Sequence, residues 1–311
     1  MDLSMTAYDT CTLCPRRCGT RRLDGRRGVC GCDADLRIAR AALHLWEEPP
    51  ISGEVGSGAI FFSGCPLRCV FCQNATISHE GFGIPVGTER LAQMMLELQG
   101  QGALNINLVT PLHYAPHVRT AIGLARGQGL RLPIVCNTSG YENASLVRTM
   151  SDVIDIWLTD YKYCSADLAA GLSGAKDYPP VASAALTEML TSLRTRGGRR
   201  LADDGSMLQG IIVRHLVLPG HADDSCGVVE RVWELAGNEV DLSIMNQYTP
   251  NERCRSLAGP LSHGVSEDEY DLVVCHADEL GFENIWWQEG GTVSESFVPA
   301  FDATGVLPGR D

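Results

Sequence analysis

The stretch GCPLRCVFCQN, residues 64–74, carries Cys65, Cys69 and Cys72 in the spacing C-x3-C-x2-C. Thiolates crowded on one short loop select soft metals or iron–sulfur clusters. A closed structural site takes four protein ligands, whereas a reactive one keeps a position open. Three thiolates on such a loop hold three irons of a [4Fe–4S] cube and leave the fourth for a substrate or cofactor. The competing reading is a structural zinc that borrows a fourth ligand, such as His79. Zinc sites more often pair their ligands as two C-x2-C units.

A second group precedes it: Cys11-x2-Cys14-x3-Cys18-x11-Cys30, with Cys32 just beyond as an alternative to Cys30. Four thiolates make a closed site for zinc or for an iron–sulfur cluster. The functional reading is an auxiliary cluster that passes electrons or touches substrate. The structural reading is a metal that folds a segment too small to hold a core. Arg16, Arg17, Arg21, Arg22, Arg26 and Arg27 surround these thiols and favour their ionised form. Of 13 cysteines, 8 fall before residue 73. Two crowded groups on a long chain, with no basic-then-apolar leader, point to cytosolic metal or Fe–S ligation, not secreted disulfides. Cys136, Cys164, Cys226, Cys254 and Cys275 are scattered and read as small buried hydrophobes.

Something must hold the three-cysteine loop in place. AIFF, residues 59–62, reads as a buried strand running directly into it. Strands follow at 105–109, in LPIVCNTSG, in VIDIWLTD, in GIIVRHLVLPG and in DLSIMNQY, with a short last one in NIWWQ. Between them lie helices. ERLAQMMLELQG puts Leu91, Met94, Met95 and Leu98 on one face. APHVRTAIGLARGQG, ASLVRTM, ASAALTEMLTSLRTRGG, SCGVVERVWELAGN and SEDEYDLVVCHADELG are the others, the last with acidic residues in its first turn and Gly beyond it. Strand–helix repetition without hairpin signals gives a parallel sheet with helical crossovers. The expected fold is α/β, a partial (β/α)6 TIM-type barrel over residues 41–290. A cysteine-rich module over 1–40 precedes it and a tail over 291–311 follows. In such a barrel the loops after the strands carry the ligand site. No G-x-G-x-x-G follows the first strand and no G-x-x-x-x-G-K-[ST] occurs, which weakens nucleotide-phosphate readings.

The chain has 311 residues and a formal net charge of −13. That charge argues against a general nucleic-acid binder, since phosphate contacts need clustered Lys and Arg. No apolar run reaches the roughly 18 residues of a membrane span. A cytoplasmic protein is expected. There is no nucleophile elbow and no zinc-protease pattern, which disfavours a conventional hydrolase.

With Phe71 before its third cysteine, the loop resembles the signature C-x3-C-x-φ-C of the radical S-adenosylmethionine superfamily. SGEVGSGAIFFSGCPLRCVFCQN resembles the barrel entry of pyruvate formate-lyase activating enzymes. GALNINLVTPLHY, LPIVCNTSGYE, DIWLTDYKY, IVRHLVLPG and MNQY extend the likeness over most of residues 11–290. The resemblance implies a [4Fe–4S] cluster on Cys65, Cys69 and Cys72. The amino and carboxylate groups of S-adenosylmethionine would complete it, with Phe71 near the adenine. It implies reductive cleavage to methionine and a 5′-deoxyadenosyl radical, which removes hydrogen from substrate. A reducing partner such as flavodoxin or ferredoxin would supply the electron. The expected enzyme is of oxidoreductase or lyase type and acts on a peptide or small molecule. One alternative is an activase for a glycyl radical enzyme. An alternative of another class is a non-catalytic Fe–S or zinc protein.

Polar residues at the strand ends are candidates for the cofactor. Superfamily members often carry a Gly-Gly-Glu type motif after the second strand, touching the methionine amino group. Asn105, Asn107 and Thr110 stand here instead and inherit that role, or they tie down a loop. Asn137, Thr138 and Ser139 end the third strand, within reach of the carboxylate or ribose. Asp160 and Lys162 match an Asp-x-Lys that the activating enzymes show near the cofactor; a structural ion pair competes. Arg214 sits in an otherwise apolar strand, where a charge is costly unless paired, and a cofactor carboxylate would pair it. His215 holds a cofactor hydroxyl, contacts substrate, or is a satisfied core histidine. Gln247 and Tyr248 end the sixth strand, facing adenine or substrate.

Overall fold

The computed structural model describes residues 1, 3–257, 259–288 and 298–309. Its strands in chain order are β1 (Arg37–His44), β2 (Ser57–Phe62), β3 (Ile84–Pro85), β4 (Ile106–Val109), β5 (Ile134–Thr138), β6 (Ile156–Asp160), β7 (Arg200–Leu201), β8 (Met207–Leu216), β9 (Asp241–Met245) and β10 (Ile285–Trp287). The helices are α1 (Pro49–Ser52), α2 (Ala75–Ser78), α3 (Thr88–Gly100), α4 (Ala115–Gly127), α5 (Ala144–Met150), α6 (Ala166–Ser173), α7 (Tyr178–Thr195), α8 (Ala222–Ala236), α9 (Glu252–Ser256) and α10 (Glu267–Leu280).

Strands β2, β4, β5, β6, β8, β9 and β10 pair in parallel, each with the next. The α/β class and the parallel sheet with helical crossovers are as expected. Among the described residues the order β10-β9-β8-β6-β5-β4-β2-β1-β3 is not closed into a ring, in keeping with a partial barrel. Three antiparallel pairings escape the sequence pattern. β1 pairs with β2 and with the two-residue β3, and the two-residue β7 pairs with β8. The alternating small and charged residues of β1 (RIARAALH) lack the apolar run that marks the other strands. Its range also crosses residue 40, the expected end of the cysteine-rich module. Residues 291–297 and 310–311 of the expected tail lie outside the described residues; residues 298–309 run beside β1, where Ala41 N–H donates to Thr304 O at 2.9 Å.

Each parallel strand has two faces, because side chains alternate. One face packs on the helices: Ile60, Phe62, Ile106, Leu108, Ile134, Cys136, Trp157, Ile211, Val213, Leu242 and Ile244 join the main core. Helix α3 meets it with Leu91, Ala92, Met94, Met95 and Leu98, all buried. Helix α10 is fixed at its start by a capping box of Ser266 and Glu269 and ends at Gly281 in the left-handed conformation. The other face forms a separate apolar layer of Val135, Ile156, Leu158, Met207 and Ile212, closed by Ile51 of α1. Pro49 opens that short helix, a position where proline's fixed φ suits the first turn. The turn lays residues 47–51 across the inner face of the sheet.

Of the scattered cysteines, Cys136 and Cys254 are buried as expected, but Cys164, in the loop before α6, and Cys275, on α10, are exposed and Cys226 is half-buried. Among the described residues, no helix is long and apolar enough to cross a membrane.

Candidate functional site

Strand β2 delivers the chain into the cysteine loop through Gly64, whose φ of +87° suits glycine. The loop is held by main-chain bonds to three other segments. Gly64 N–H donates to Ile77 O at 2.8 Å, Cys65 N–H to Cys30 O at 3.1 Å and Val70 N–H to Leu172 O at 2.8 Å. Arg68 takes a left-handed conformation, φ +53°, and lets the loop turn between Cys65 and Cys69. Arg16 Nε donates to Pro66 O at 2.8 Å, and Asn251 Nδ2 to Val70 O at 2.9 Å.

The three sulfurs face one cavity of about 230 Å³ at the carboxyl ends of the parallel strands. Ser173 Oγ–H donates to Cys69 Sγ at 2.9 Å, and Ser173 in turn pairs with Tyr163 OH at 2.6 Å. Cys72 Sγ lies 3.2 Å from Ser78 Oγ. Burial pushes the Cys65 thiol up to about 12, with the neighbouring Cys69 and Cys72 adding repulsion. Burial also raises Cys72, while Lys162 acts in the opposite sense. Burial that raises Cys65 and Cys72 is answered only by a cation beside their thiolates, which is the chemistry of a metal–thiolate site. His79 bonds Ser78 Oγ through Nδ1 at 2.8 Å and is not in the cavity wall. Among the described residues, no three His, Cys, Asp or Glu side chains are arranged to hold a single metal ion. A cube that puts each thiolate on its own iron asks for no such convergence.

Opposite the loop stands a charged network. Arg214 of β8 donates from Nε to Asp160 Oδ1 at 3.1 Å, from Nη1 to Glu47 Oε2 at 3.2 Å and from Nη2 to Asn137 Oδ1 at 2.6 Å. Lys162 Nζ bonds Asp160 Oδ2 at 2.6 Å. Asn107 Nδ2 donates to Glu47 Oε1 at 2.8 Å. Burial opposes ionisation of Asp160, but Lys162 and Arg214 outweigh it and hold the carboxyl below its ordinary range. For Glu47 burial prevails over Arg214 and raises it, and burial likewise raises Glu48. Among the described residues, Glu48 Oε2 and Asn74 Oδ1 are buried acceptors without a hydrogen-bond partner, on residues that line the cavity. Unmatched acceptors beside carboxylates suit a ligand with cationic donors.

The other sequence candidates divide. Phe71, Thr110, Asn137, Thr138, Ser139, Asp160, Lys162, Arg214 and Gln247 all line the cavity. Asn107 reaches it through Glu47 only. Asn105 precedes β4 at its amino end, where it donates to Ile51 O at 2.7 Å and accepts from Ser57 Oγ at 2.6 Å. There it ties down α1. His215 follows Arg214 by one residue, so strand alternation turns it away from the cavity; its Nδ1 bonds Tyr161 O at 2.8 Å. Burial lowers this histidine to about 4, which keeps it neutral. Tyr248 is buried, with its OH on Leu261 O at 2.5 Å and its ring 6.4 Å from that of Phe71. Glu47 and Glu48 are the residues that sequence reasoning missed. Their signal is an acid pair directly before Pro49-Pro50, where the turn of α1 folds inward.

No protein-family model matches the chain. It is 26% identical over 265 residues to an uncharacterized protein of Methanocaldococcus jannaschii, covering 82% of this chain and 70% of that one. Among solved structures its fold is similar to that of a radical SAM methyltransferase from Sphaerobacter thermophilus, with TM-score 0.50 and 9% identity, over 76% of this chain and 68% of that chain. Streptococcus suis SuiB bound to S-adenosylmethionine aligns with TM-score 0.48 and 12% identity, over 72% of this chain and 48% of that one. The chain thus spans about half the length of SuiB.

Proposed function

We propose that the chain is a radical S-adenosylmethionine enzyme, with a [4Fe–4S] cluster on Cys65, Cys69 and Cys72 and the cofactor in the adjoining cavity. One observation carries this. The three thiols and the network of Glu47, Asn137, Asp160, Lys162 and Arg214 face a single cavity at the carboxyl ends of parallel strands. The likeness in fold to the Sphaerobacter methyltransferase supports it. When bound and reduced, the pair supplies cleavage of S-adenosylmethionine to methionine and a 5′-deoxyadenosyl radical that takes a hydrogen atom from substrate.

The chain's own residues bind and orient. Lys162 stands between Asp160 and the cysteine loop, where its charge favours the thiolate of Cys72. Glu48 Oε2 and Asn74 Oδ1 offer acceptors to the cofactor's amino group. Arg214 and Lys162 offer donors to its carboxylate. Phe71, flanked by Tyr163 and Tyr248 at ring distances of 6.4 Å, gives an apolar wall for adenine. Within this reading the substrate is a peptide or small molecule, with activation of a glycyl radical enzyme as the second choice. Flavodoxin or ferredoxin is the class of electron donor, and the cytoplasm, where thiols stay reduced, is the compartment. The cysteines at positions 11–32 add a second metal or Fe–S site.

The test is anaerobic reconstitution with iron and sulfide, addition of dithionite and S-adenosylmethionine, and detection of 5′-deoxyadenosine by mass spectrometry. Its formation, abolished in the Cys65/Cys69/Cys72→Ala variant, is expected. Undiminished formation in that variant would sink the assignment of the loop.

A further inference from the structure

We infer that the third wall of the cavity, built by Trp46, Phe61, Ile77 and Val109 with His44 at its edge, is a substrate subsite that takes an uncharged aromatic side chain. The inference rests on the radical S-adenosylmethionine reading for the word substrate. The chemistry of the wall does not depend on it.

Under that reading two walls answer to the cofactor: the network of Asn137, Asp160, Lys162 and Arg214, and Phe71 on the cysteine loop. Strands β1, β2 and β4 and helix α2 make the remaining one. Phe61, Ile77 and Val109 form an apolar layer with Ala39 and Ala59, all buried. The first three also line the cavity, together with His44 and Trp46. This layer is separate from the one that Ile51 of α1 closes. Here the chain covers one side only, where Phe301 packs on Phe61.

The segment that carries Phe301 is held to β1. Ala303 N–H donates to Ala39 O at 3.0 Å, and Arg40 Nη1 donates to Asp302 Oδ1 at 2.8 Å. Gly305, with φ +70°, permits the close approach, because a Cβ there would strike Ala41 O. The apolar layer is thus fixed from behind, and its other side faces the cavity.

A charged group would find no partner on this wall. The ionic groups opposite already answer one another: Asp160 holds Lys162 and Arg214, and Arg214 holds Glu47. Burial lowers His44, so it presents a neutral ring near pH 7. Bringing a lone charge from water to such a surface is costly. A ring, rather than any apolar group, follows from the rings present. His44 meets Phe61 edge-on at 6.1 Å and 88°, and Phe61 meets Phe301 at 5.5 Å and 68°. Edge-to-face contacts favour a further ring over an aliphatic group of the same area. Trp46 lines the cavity and is 51% exposed, so its indole joins solvent to the wall. An entering ring meets it first.

The experiment is equilibrium dialysis of the full chain, reconstituted with iron and sulfide without oxygen. The probes are the N-acetyl amides of phenylalanine, leucine, lysine and glutamic acid. The phenylalanine probe should bind at least about tenfold more tightly than the lysine and glutamate probes. It should bind about two- to tenfold more tightly than the leucine probe. Trp46→Ala, at a half-exposed position, should weaken the phenylalanine probe by about two- to tenfold at wild-type iron content. Phe61→Leu should bring the phenylalanine and leucine probes level. Lysine or glutamate probes bound as well as phenylalanine, no probe bound, or an unchanged phenylalanine probe in Trp46→Ala each overturn the subsite. Failure of the radical reading looks different. Protein that binds the phenylalanine probe but forms no 5′-deoxyadenosine keeps the subsite and loses that reading. Protein that forms 5′-deoxyadenosine but binds no probe loses the subsite alone.

Discussion

Arg214 and Glu47, 167 positions apart, meet at 3.2 Å inside the sheet, where neither has full access to water. The same guanidinium holds Asp160, so one cation answers for two buried carboxylates.

Arg214→Met is therefore expected to cost about 3–5 kcal/mol in chemical denaturation, the range for stranding buried partners of an ion pair. The double variant with Glu47→Gln should recover part of that loss, because one stranded charge is gone. Strict additivity of the two changes would show that the residues are not coupled.

Ser173→Ala removes the hydrogen bond to Cys69 Sγ. Hydrogen bonds to cluster sulfurs favour the reduced, more negative state. The cluster on the loop should become harder to reduce by roughly 20–60 mV, the equivalent of one such bond for one electron. EPR-monitored redox titration reads this directly. An unchanged potential would mean that Ser173 only packs.

Glu142 is buried at the end of β5, where Thr138 donates to it, and burial lifts its carboxyl from the ordinary 4.5 to about 7. The folded-state value lies above the unfolded one. Its favourable contribution is thus complete below about pH 4.5 and is lost as pH rises through about 7. Glu142→Gln should gain stability relative to wild type between pH 5 and pH 8, by at most about 3 kcal/mol. Parallel denaturation curves at the two pH values check it; a constant difference would contradict it.

Thr110 follows β4 with φ +58°, a left-handed conformation costly for a β-branched residue, and it lines the cavity. Thr110→Gly should raise stability by up to about 1 kcal/mol. The same variant should weaken S-adenosylmethionine binding in equilibrium dialysis if the hydroxyl faces the ligand. A marked loss of stability would show that the side chain is held for packing.

Much of this was legible because the chemistry is local. Cys65, Cys69 and Cys72 sit within eight residues of one loop, and the strand before them is buried throughout and ends in the apolar run Ala59–Phe62. The parallel strands are similarly plain. What stayed hidden depends on distant placement. Glu47 and Glu48 precede the first parallel strand and enter the site only because α1 folds back beneath it. Asn105 and Asn107 share a face, yet only Asn107 touches the network, since depth along a strand is not written in its alternation. Arg214 and His215 show the converse: strand alternation turns only the first toward the cavity, and His215 bonds Tyr161 O instead. Helix α6 (Ala166–Ser173) lies outside the expected helices, since its short apolar pattern runs into α7 with only Gly174 and a brief turn between them.

The bonds of Arg16 to Ser173 and Gly174 bridge more than 150 residues of chain. Asn143 reaches the carbonyls of Thr12 and Leu13 across a similar span. On a ribosome the segment that needs these partners emerges well before them. At usual translation rates the wait is on the order of 10–30 s. During that interval five thiols have no finished wall around them, so the period between synthesis and closure is when this protein is most open to oxidation and to the wrong metal.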